Sequence, residues 1–216
     1  MNTKQTIQSK KVIAIVRRIY GRDLINLAKA LYDGGMRLME LTFDQSDPDC
    51  LQKTGEAIAT LCRELPADML FGAGTVLTPE QAETAAAAGG RFIISPSTDP
   101  AVIARTKELG LVSIPGAMTP SEMVIAHQAG ADFIKVFPAN LLGGPAYAKA
   151  VLAPLSHLKL LATAGITLEN FEEYLKAGMA GAGVSGMLTD RKLIAAGDWA
   201  EFTRRARGFQ DIADRY

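Results

Sequence analysis

One unit recurs along this chain: a helical stretch that ends in glycine and runs at once into an apolar strand. "ALYDGG" leads to "MRLMELTF", "AAAAGG" to "RFIIS", "KELG" to "LVSIPG", "AHQAG" to "ADFIKVF" and "YLKAG" to "MAGAGVSG". Glycine suits that junction because a helix often closes with a residue at positive φ. Short strands alternating with helical segments of about 10 to 15 residues make βαβ units and a parallel sheet. Eight strands are expected, at 11–17, 37–43, 68–74, 91–95, 111–115, 132–137, 158–163 and 180–185, with a helix after each. The polar N-terminus adds a short extra helix. No linker, low-complexity run or change of composition divides the 216 residues. The expected fold is therefore α/β, a single (β/α)8 TIM barrel domain over 1–216. A doubly wound open sheet is the alternative, but eight such short units favour closure. No Gly-rich dinucleotide fingerprint follows the first strand, where the chain reads "RRIYGRD".

Composition narrows the partners. Lys and Arg total 23, as do Asp and Glu, and no basic run stands out, so nucleic acid and anionic membrane are not expected partners. No apolar stretch reaches the roughly 18 residues of a membrane span. "MNTKQTIQSKK" lacks the apolar segment of a signal peptide. Cys50 and Cys62 fall in one expected helix, about 18 Å apart along its axis, too far to bond to each other. A reducing, cytoplasmic setting follows. His127 and His157 have no partner at metal-ligand spacing, so no metal site is expected.

In a (β/α)8 barrel the active site lies at the C-terminal strand ends. Polar residues there are Arg17, Glu40, Thr75, Pro96 with Ser97, Lys135, Thr163 and Ser185. Lys159 opens its strand at the opposite end and is discounted. Taken singly, each has a plain alternative. Glu40 could point outward between helices, Arg17 could be a rim charge, and Thr75 and Thr163 could be ordinary strand-end threonines. Lys135, alone in "FIKVF", could snorkel along the rim. Taken together, a desolvated lysine beside a carboxylate has the composition of an imine-forming site. Burial lowers the lysine pKa and leaves neutral amine to attack a carbonyl. A close Glu⁻ would raise that pKa, and the sequence does not say which effect prevails.

"MELTF", "GAGTVLTPEQ", "FIISP", "IPGAMTPSE", "FIKVFPAN" with "GGP" after it, and "TAGITLEN" resemble, in order and across the whole chain, the 2-keto-3-deoxy-6-phosphogluconate aldolase family. That family includes the 4-hydroxy-2-oxoglutarate aldolases and the 6-phosphogalactonate branch. The resemblance implies a (β/α)8 barrel, a homotrimer, and class I aldol chemistry with no metal or other cofactor. It implies Lys135 as the Schiff-base lysine and Glu40 as general acid/base. It implies Thr75 at the substrate carboxylate, Pro96 and Phe137 as pocket walls, and Arg17 as an anion contact. Thr163-Ala164-Gly165 and Ser185-Gly186 resemble the phosphate-binding turns after the seventh and eighth strands. The implied reaction cleaves a 2-keto-3-deoxy-4-hydroxy acid to pyruvate and an aldehyde. 2-Keto-3-deoxy-6-phosphogluconate is the first substrate to consider, giving glyceraldehyde 3-phosphate, and 4-hydroxy-2-oxoglutarate, giving glyoxylate, the second.

Three residue patterns depart from the family. Its phosphate turn usually reads T-G-G, and here Ala164 adds a Cβ where backbone N–H groups must approach closely. Its last turn reads Gly-Ser, and here the order is Ser185-Gly186. Some members carry an arginine shortly after the glutamate, where "TFDQSD" places Asp44. An acidic residue there is tolerable if it turns away or meets Arg17. These departures leave a non-phosphorylated keto acid, a non-catalytic phosphometabolite-binding barrel, and an isomerase that uses lysine only as a charge as the competing expectations.

Overall fold

Strands of a parallel barrel are covered on both faces, so they read as nearly continuous apolar runs. In the computed structural model, which describes residues 2–216, this holds for β1 (Val12–Val16), β2 (Leu38–Thr42), β3 (Leu70–Gly74), β4 (Phe92–Ile94), β5 (Val112–Ile114), β6 (Gly116–Ala117), β7 (Ile134–Val136), β8 (Leu160–Thr163) and β9 (Gly181–Val184). The helices are α1 (Thr3–Lys10), α2 (Gly21–Asp33), α3 (Cys50–Glu64), α4 (Pro79–Ala87), α5 (Pro100–Glu108), α6 (Pro120–Gln128), α7 (Gly144–Leu152), α8 (Phe171–Lys176), α9 (Arg191–Ala196) and α10 (Trp199–Ala213). Every strand pair is parallel, in the order β5-β4-β3-β2-β1-β9-β8-β7-β6. The two ends of that order flank Pro115: β5 lies within the expected fifth strand, 111–115, and β6 resumes it just beyond the expected end. Proline has no N–H to give a ladder. Its carbonyl accepts from the Lys135 N–H at 2.8 Å. The fifth strand thus meets β4 with its first half and β7 with its second, and the barrel closes through it.

Alternation along each strand sorts side chains into two cores. Val12, Ala14 and Val16 face the helices, whereas Ile13 faces the barrel axis with Leu38, Phe92, Ile94, Val112, Ile114, Phe133 and Leu161. The phase matters for the site. Glu40 stands two residues after inward Leu38, and Lys135 two after inward Phe133, so both point into the barrel. The alternative of an outward Glu40 is therefore excluded.

The extra helix α1 closes the barrel's N-terminal end. Asn2 and Gln5 form a reciprocal cap, with Asn2 Oδ1 accepting from the Gln5 N–H at 2.9 Å and Gln5 Oε1 accepting from the Asn2 N–H at 3.0 Å. Ile7, fully buried, plugs the inner core. Asp132, just before β7, ties this end together by accepting from Lys4 at 3.1 Å, from the Ser113 N–H at 3.0 Å and from Lys107. Burial pushes the Asp132 carboxyl up, but Lys107, the Ser113 N–H and Lys4 together hold it below its ordinary value. A depressed carboxylate pKa stabilises the fold above the unfolded value, and that contribution fades as pH falls through the folded one. Asp132→Asn is therefore expected to lower Tm by about 2–4 °C at neutral pH, for a loss near 1 kcal/mol. The difference from wild type should shrink below about pH 4. Calorimetry at both pH values checks this, and a pH-independent difference would contradict the charge argument.

No helix among the described residues is long and apolar enough to cross a membrane. Cys50 and Cys62 both lie on α3 and both are free.

Candidate active site

The two inward polar residues on β2 and β7 end in the same place. Glu40 is 0% exposed and Lys135 3% exposed. They line one narrow pocket with Ile13, Ile15, Ile94, Ile114, Leu161, Thr163 and Gly183, and the space left there is about 10 Å3, about what one water needs. Neither carboxylate oxygen of Glu40 has a hydrogen-bond partner among the described residues. Burial pushes the Glu40 carboxyl up, against the opposing pull of Lys135 and Arg17. Burial also pulls the Lys135 ammonium down, against the raising effect of Glu40 and with a further push from Arg17. Desolvation therefore prevails on both sides of the pair. Both groups shift toward their neutral forms, an amine that can attack and an acid that can give and take a proton.

β3 makes room for this pair. Gly74 lies across the ladder from Thr42, and a Cβ there would collide with the Glu40 carboxylate. Gly183 on β9 does the same for Thr163, whose Oγ1 would lie 3.0 Å from an added Cβ. Gly116 lets β6 approach the Pro96 carbonyl. The sequence reading passed over these glycines. Their signal was alternation, since Gly74 and Gly183 fall in the inward phase at the catalytic end of their strands.

Above the floor the pocket widens into a cavity of about 400 Å3 lined by Arg17, Phe137, Thr163, Ala164, Gly165, Ser185 and Gly186, among others. The expected distal-end residues are thus brought together. The Phe137 ring lies 5.0 Å from Lys135 Nζ, within the range at which an aromatic face steadies a cation. Pro96 and Thr75 line neither cavity. Thr75 adopts φ 55° and its carbonyl accepts from Gln45 Nε2 at 2.7 Å, with Gln81 Nε2 donating to Gln45 Oε1 at 3.0 Å. Gln45 and Gln81 fix the conformation of this strand end, and nothing in their spacing announced it. Lys159 lies with its Nζ 5.9 Å from the ring of Phe133, which precedes Lys135 by two residues on the inward face, so it belongs to the opposite end of the barrel.

The three departures have local accounts. Asp44 meets Arg18, not Arg17: Arg18 Nη2 donates to Asp44 Oδ1 at 2.8 Å and Nε lies 2.6 Å from Oδ2. Arg18 and the hydroxyl of Ser46 hold the Asp44 carboxyl down to about 2. The Ser185 hydroxyl lies 3.4 Å from Thr189 Oγ1, which in turn donates to the Ser185 carbonyl at 3.1 Å. Gly186 beside it is open, and a Cβ there would meet nothing within 4 Å. Ala164 holds φ 83° and Gly165 φ 71°. A Cβ on Gly165 would come within 2.6 Å of the Asn140 side chain. The turn thus keeps a backbone shape suited to glycine while carrying alanine. A non-glycine residue at positive φ costs about 1–2 kcal/mol, and glycine gives back about 0.5–1 kcal/mol through the unfolded chain. Ala164→Gly is expected to raise Tm by about 1–3 °C, measured by thermal melting. A drop in Tm would show that the alanine packing outweighs the backbone strain.

His127 and His157 pack edge to face with ring centroids 5.0 Å apart. No group of three or more His, Cys, Asp or Glu among the described residues is arranged to hold a metal ion.

Residues 3–205 match the family described as "Aldolase: KDPG and KHG aldolase". A 2-dehydro-3-deoxy-phosphogluconate aldolase of Treponema pallidum (strain Nichols) is 38% identical over 199 residues, 92% of this chain and 91% of that one. A native KDPGal structure superposes with TM-score 0.83 at 31% identity, over 95% of this chain and 96% of that one. A KDPG aldolase from Legionella pneumophila, with pyruvate captured at low pH as a covalent carbinolamine intermediate, superposes with TM-score 0.83 at 28% identity, covering 96% of this chain and 97% of that one. With its closed parallel barrel, its buried lysine and carboxylate on facing strands, and these likenesses over nearly its whole length, the chain belongs to the KDPG and KHG aldolase family.

Proposed function

We propose that this protein is a class I aldolase that reversibly cleaves a 2-keto-3-deoxy-4-hydroxy acid to pyruvate and an aldehyde, with Lys135 as the covalent nucleophile. One observation carries this: Lys135 and Glu40 share a buried pocket in which burial drives both toward neutrality. The pyruvate carbinolamine in the Legionella relative is of the same chemistry.

The neutral Lys135 amine attacks the C2 ketone. Glu40 protonates the departing hydroxyl of the carbinolamine, and a protonated imine forms. That cation draws electrons from the C3–C4 bond while Glu40, through one water, takes the C4 hydroxyl proton. The bond breaks, an aldehyde leaves and an enamine of pyruvate remains. Protonation at C3 and hydrolysis free pyruvate and return the amine. The imine itself is the electron sink, so the sequence of steps needs no cofactor. Phe137 steadies the cationic imine, and Arg17, which lines the turn cavity, meets an anionic end of the substrate. Thr163, Ala164, Gly165, Ser185 and Gly186 receive the far end of the substrate.

2-Keto-3-deoxy-6-phosphogluconate is the first substrate, with 4-hydroxy-2-oxoglutarate beside it. A keto acid without phosphate is supported by Ala164 in the turn and by the Ser185 hydroxyl turned toward Thr189. We place the activity in the cytoplasm, in a single-domain chain that assembles as a homotrimer. The test is direct. Incubation with pyruvate and borohydride should modify Lys135, mapped by peptide mass spectrometry, and pyruvate release from the two keto acids should rank them. Modification of another lysine, or of none, would overturn the assignment.

A further inference from the structure

Glu40 and Lys135 come from opposite walls of the barrel. β1, β9 and β8 separate β2 from β7 on one side, and β3, β4 and the fifth strand separate them on the other. Both side chains reach toward the axis, and nothing in the strand register keeps them apart. Yet neither Glu40 oxygen has a hydrogen-bond partner among the described residues, so Lys135 is not bonded to it. A buried carboxylate and ammonium within reach of each other gain from closing into a charge-assisted pair. Something holds the carboxylate back.

The strands on either side of β2 account for this. On β1, Ile15 stands opposite Glu40 in the ladder and lines that flank of the pocket. On β3, Gly72 is the ladder partner of Glu40 and Gly74 that of Thr42. The space a Cβ would take at Gly72 is filled by the Phe92 ring. The space at Gly74 is filled by Glu40 itself, since a Cβ there would run into Oε1 and come within 2.7 Å of the carboxyl carbon. The carboxylate thus leans on the bare backbone of β3, in the place of a missing side chain. Gly74 is not among the positive-φ glycines, so its conformation does not call for glycine; the space does. A methyl group there would push the carboxylate off the wall. With Ile15 on its other side, the opening left is toward the axis, where Lys135 and the space of about 10 Å3 lie.

We propose that Gly74 is a positioning residue for this reaction: the gap it leaves in β3 holds the Glu40 carboxylate out of contact with Lys135 and keeps acid and nucleophile from closing into an ion pair. The inference rests on the aldolase assignment and deepens it. A closed pair would hold Lys135 as ammonium and Glu40 as carboxylate, and an ammonium has no lone pair with which to attack a ketone. Held apart, each group is governed by its burial. The other charge acting on both is Arg17 at the end of β1, and the rest of the pocket lining is isoleucine, leucine, threonine and glycine.

Gly74→Ala tests this, beside Gly183→Ala, which adds the same methyl to the same pocket but against Ile15 and Thr163. The rate at which borohydride traps pyruvate is followed against pH. In Gly74→Ala the midpoint of its rise should move up by about one pH unit, and the rate below that midpoint should fall about tenfold. Gly183→Ala crowds the pocket without touching Glu40 and should leave the midpoint in place. In a Glu40→Gln background, where no ion pair can form, Gly74→Ala should leave it in place as well. A midpoint unmoved by Gly74→Ala, or moved as far by Gly183→Ala or in the Glu40→Gln background, overturns the proposal. A second measurement needs no pyruvate. The carbon-13-labelled carboxyl of Glu40, identified by its absence from Glu40→Gln, should titrate above 4.5 in the wild type and at least about one pH unit lower in Gly74→Ala. A wild-type midpoint below 4.5 would mean that the pair is already closed, and it overturns the proposal even where Gly74→Ala fails to fold. A wild type that traps no pyruvate would overturn the aldolase assignment and leave the carboxyl titration to decide the role of Gly74.

Discussion

Lys135→Arg is expected to abolish the borohydride-stable adduct with pyruvate and to lower kcat by at least about 10³-fold, the scale of losing a covalent nucleophile. Charge and length are nearly kept in this variant. What it removes is the ability to give up a proton, since guanidinium stays protonated at any working pH. The loss should therefore appear even if the folded structure is unchanged. Lys135→Met completes the argument from the stability side. The folded pKa of Lys135 lies below its ordinary value because of burial. The unfolded chain then binds more protons than the folded one between the two values, so wild-type stability rises with pH across that window. Below the folded value the wild type carries the full cost of a buried ammonium, and near the ordinary value of 10.5 it carries none. Lys135→Met should melt higher than wild type at neutral pH, and the gap should close as pH rises toward 10.5. A methionine variant that melts lower at neutral pH would mean that Lys135 is better solvated than its 3% exposure indicates. An adduct that persists in Lys135→Arg would move the nucleophile elsewhere.

The barrel was legible because helix, glycine and strand recur with so little between them. Closure through one strand was legible too, but its break was not. Pro115 stands at the end of "LVSIP", and only the ladder shows that the strand resumes at Gly116 to meet β7. The inward placement of Glu40 is a matter of strand phase. Its separation from Leu38 is two residues, the same phase that sets Lys135 two after Phe133. Contacts made by side chains from distant loops were another matter. Asp44 and Arg18 are 26 residues apart, Arg191 and Arg17 are 174 apart, and no local pattern brings such pairs together. The same holds for Gln45 and Gln81 around Thr75. Thr75 shows how a residue in a family-like motif can stand outside the cavity, because strand-end conformation and not strand register decides where it goes.

Glu40→Gln separates proton transfer from binding. The variant should still trap pyruvate on long incubation, though more slowly for want of an acid to help the carbinolamine dehydrate, because Lys135 loses the one neighbour that raises its pKa and its neutral amine becomes more abundant. Turnover should nonetheless fall on the order of 10²-fold or more, because glutamine can neither protonate the carbinolamine hydroxyl nor take the C4 proton. Adduct retained with kcat lost is the expected signature. Both properties lost would instead point to a collapsed pocket, and kcat kept would pass the proton role to a water or another group. The stability profile supplies an independent sign. Burial raises the folded pKa of Glu40 above its ordinary 4.5. The folded chain then binds more protons than the unfolded one between those values, so wild-type stability falls as pH rises from about 4.5 through the folded pKa. Glutamine does not titrate, and its buried amide carries a cost that does not change with pH. The difference in Tm between Glu40→Gln and wild type should therefore shift in favour of the variant across that window, and stay constant above it. Parallel profiles over the whole range would show that the Glu40 carboxyl titrates in the folded protein as it does in the unfolded chain. The protein would then hold at its barrel floor a carboxylate that is ionised throughout neutral pH, able to accept a proton from the C4 hydroxyl but unable to donate one to the carbinolamine.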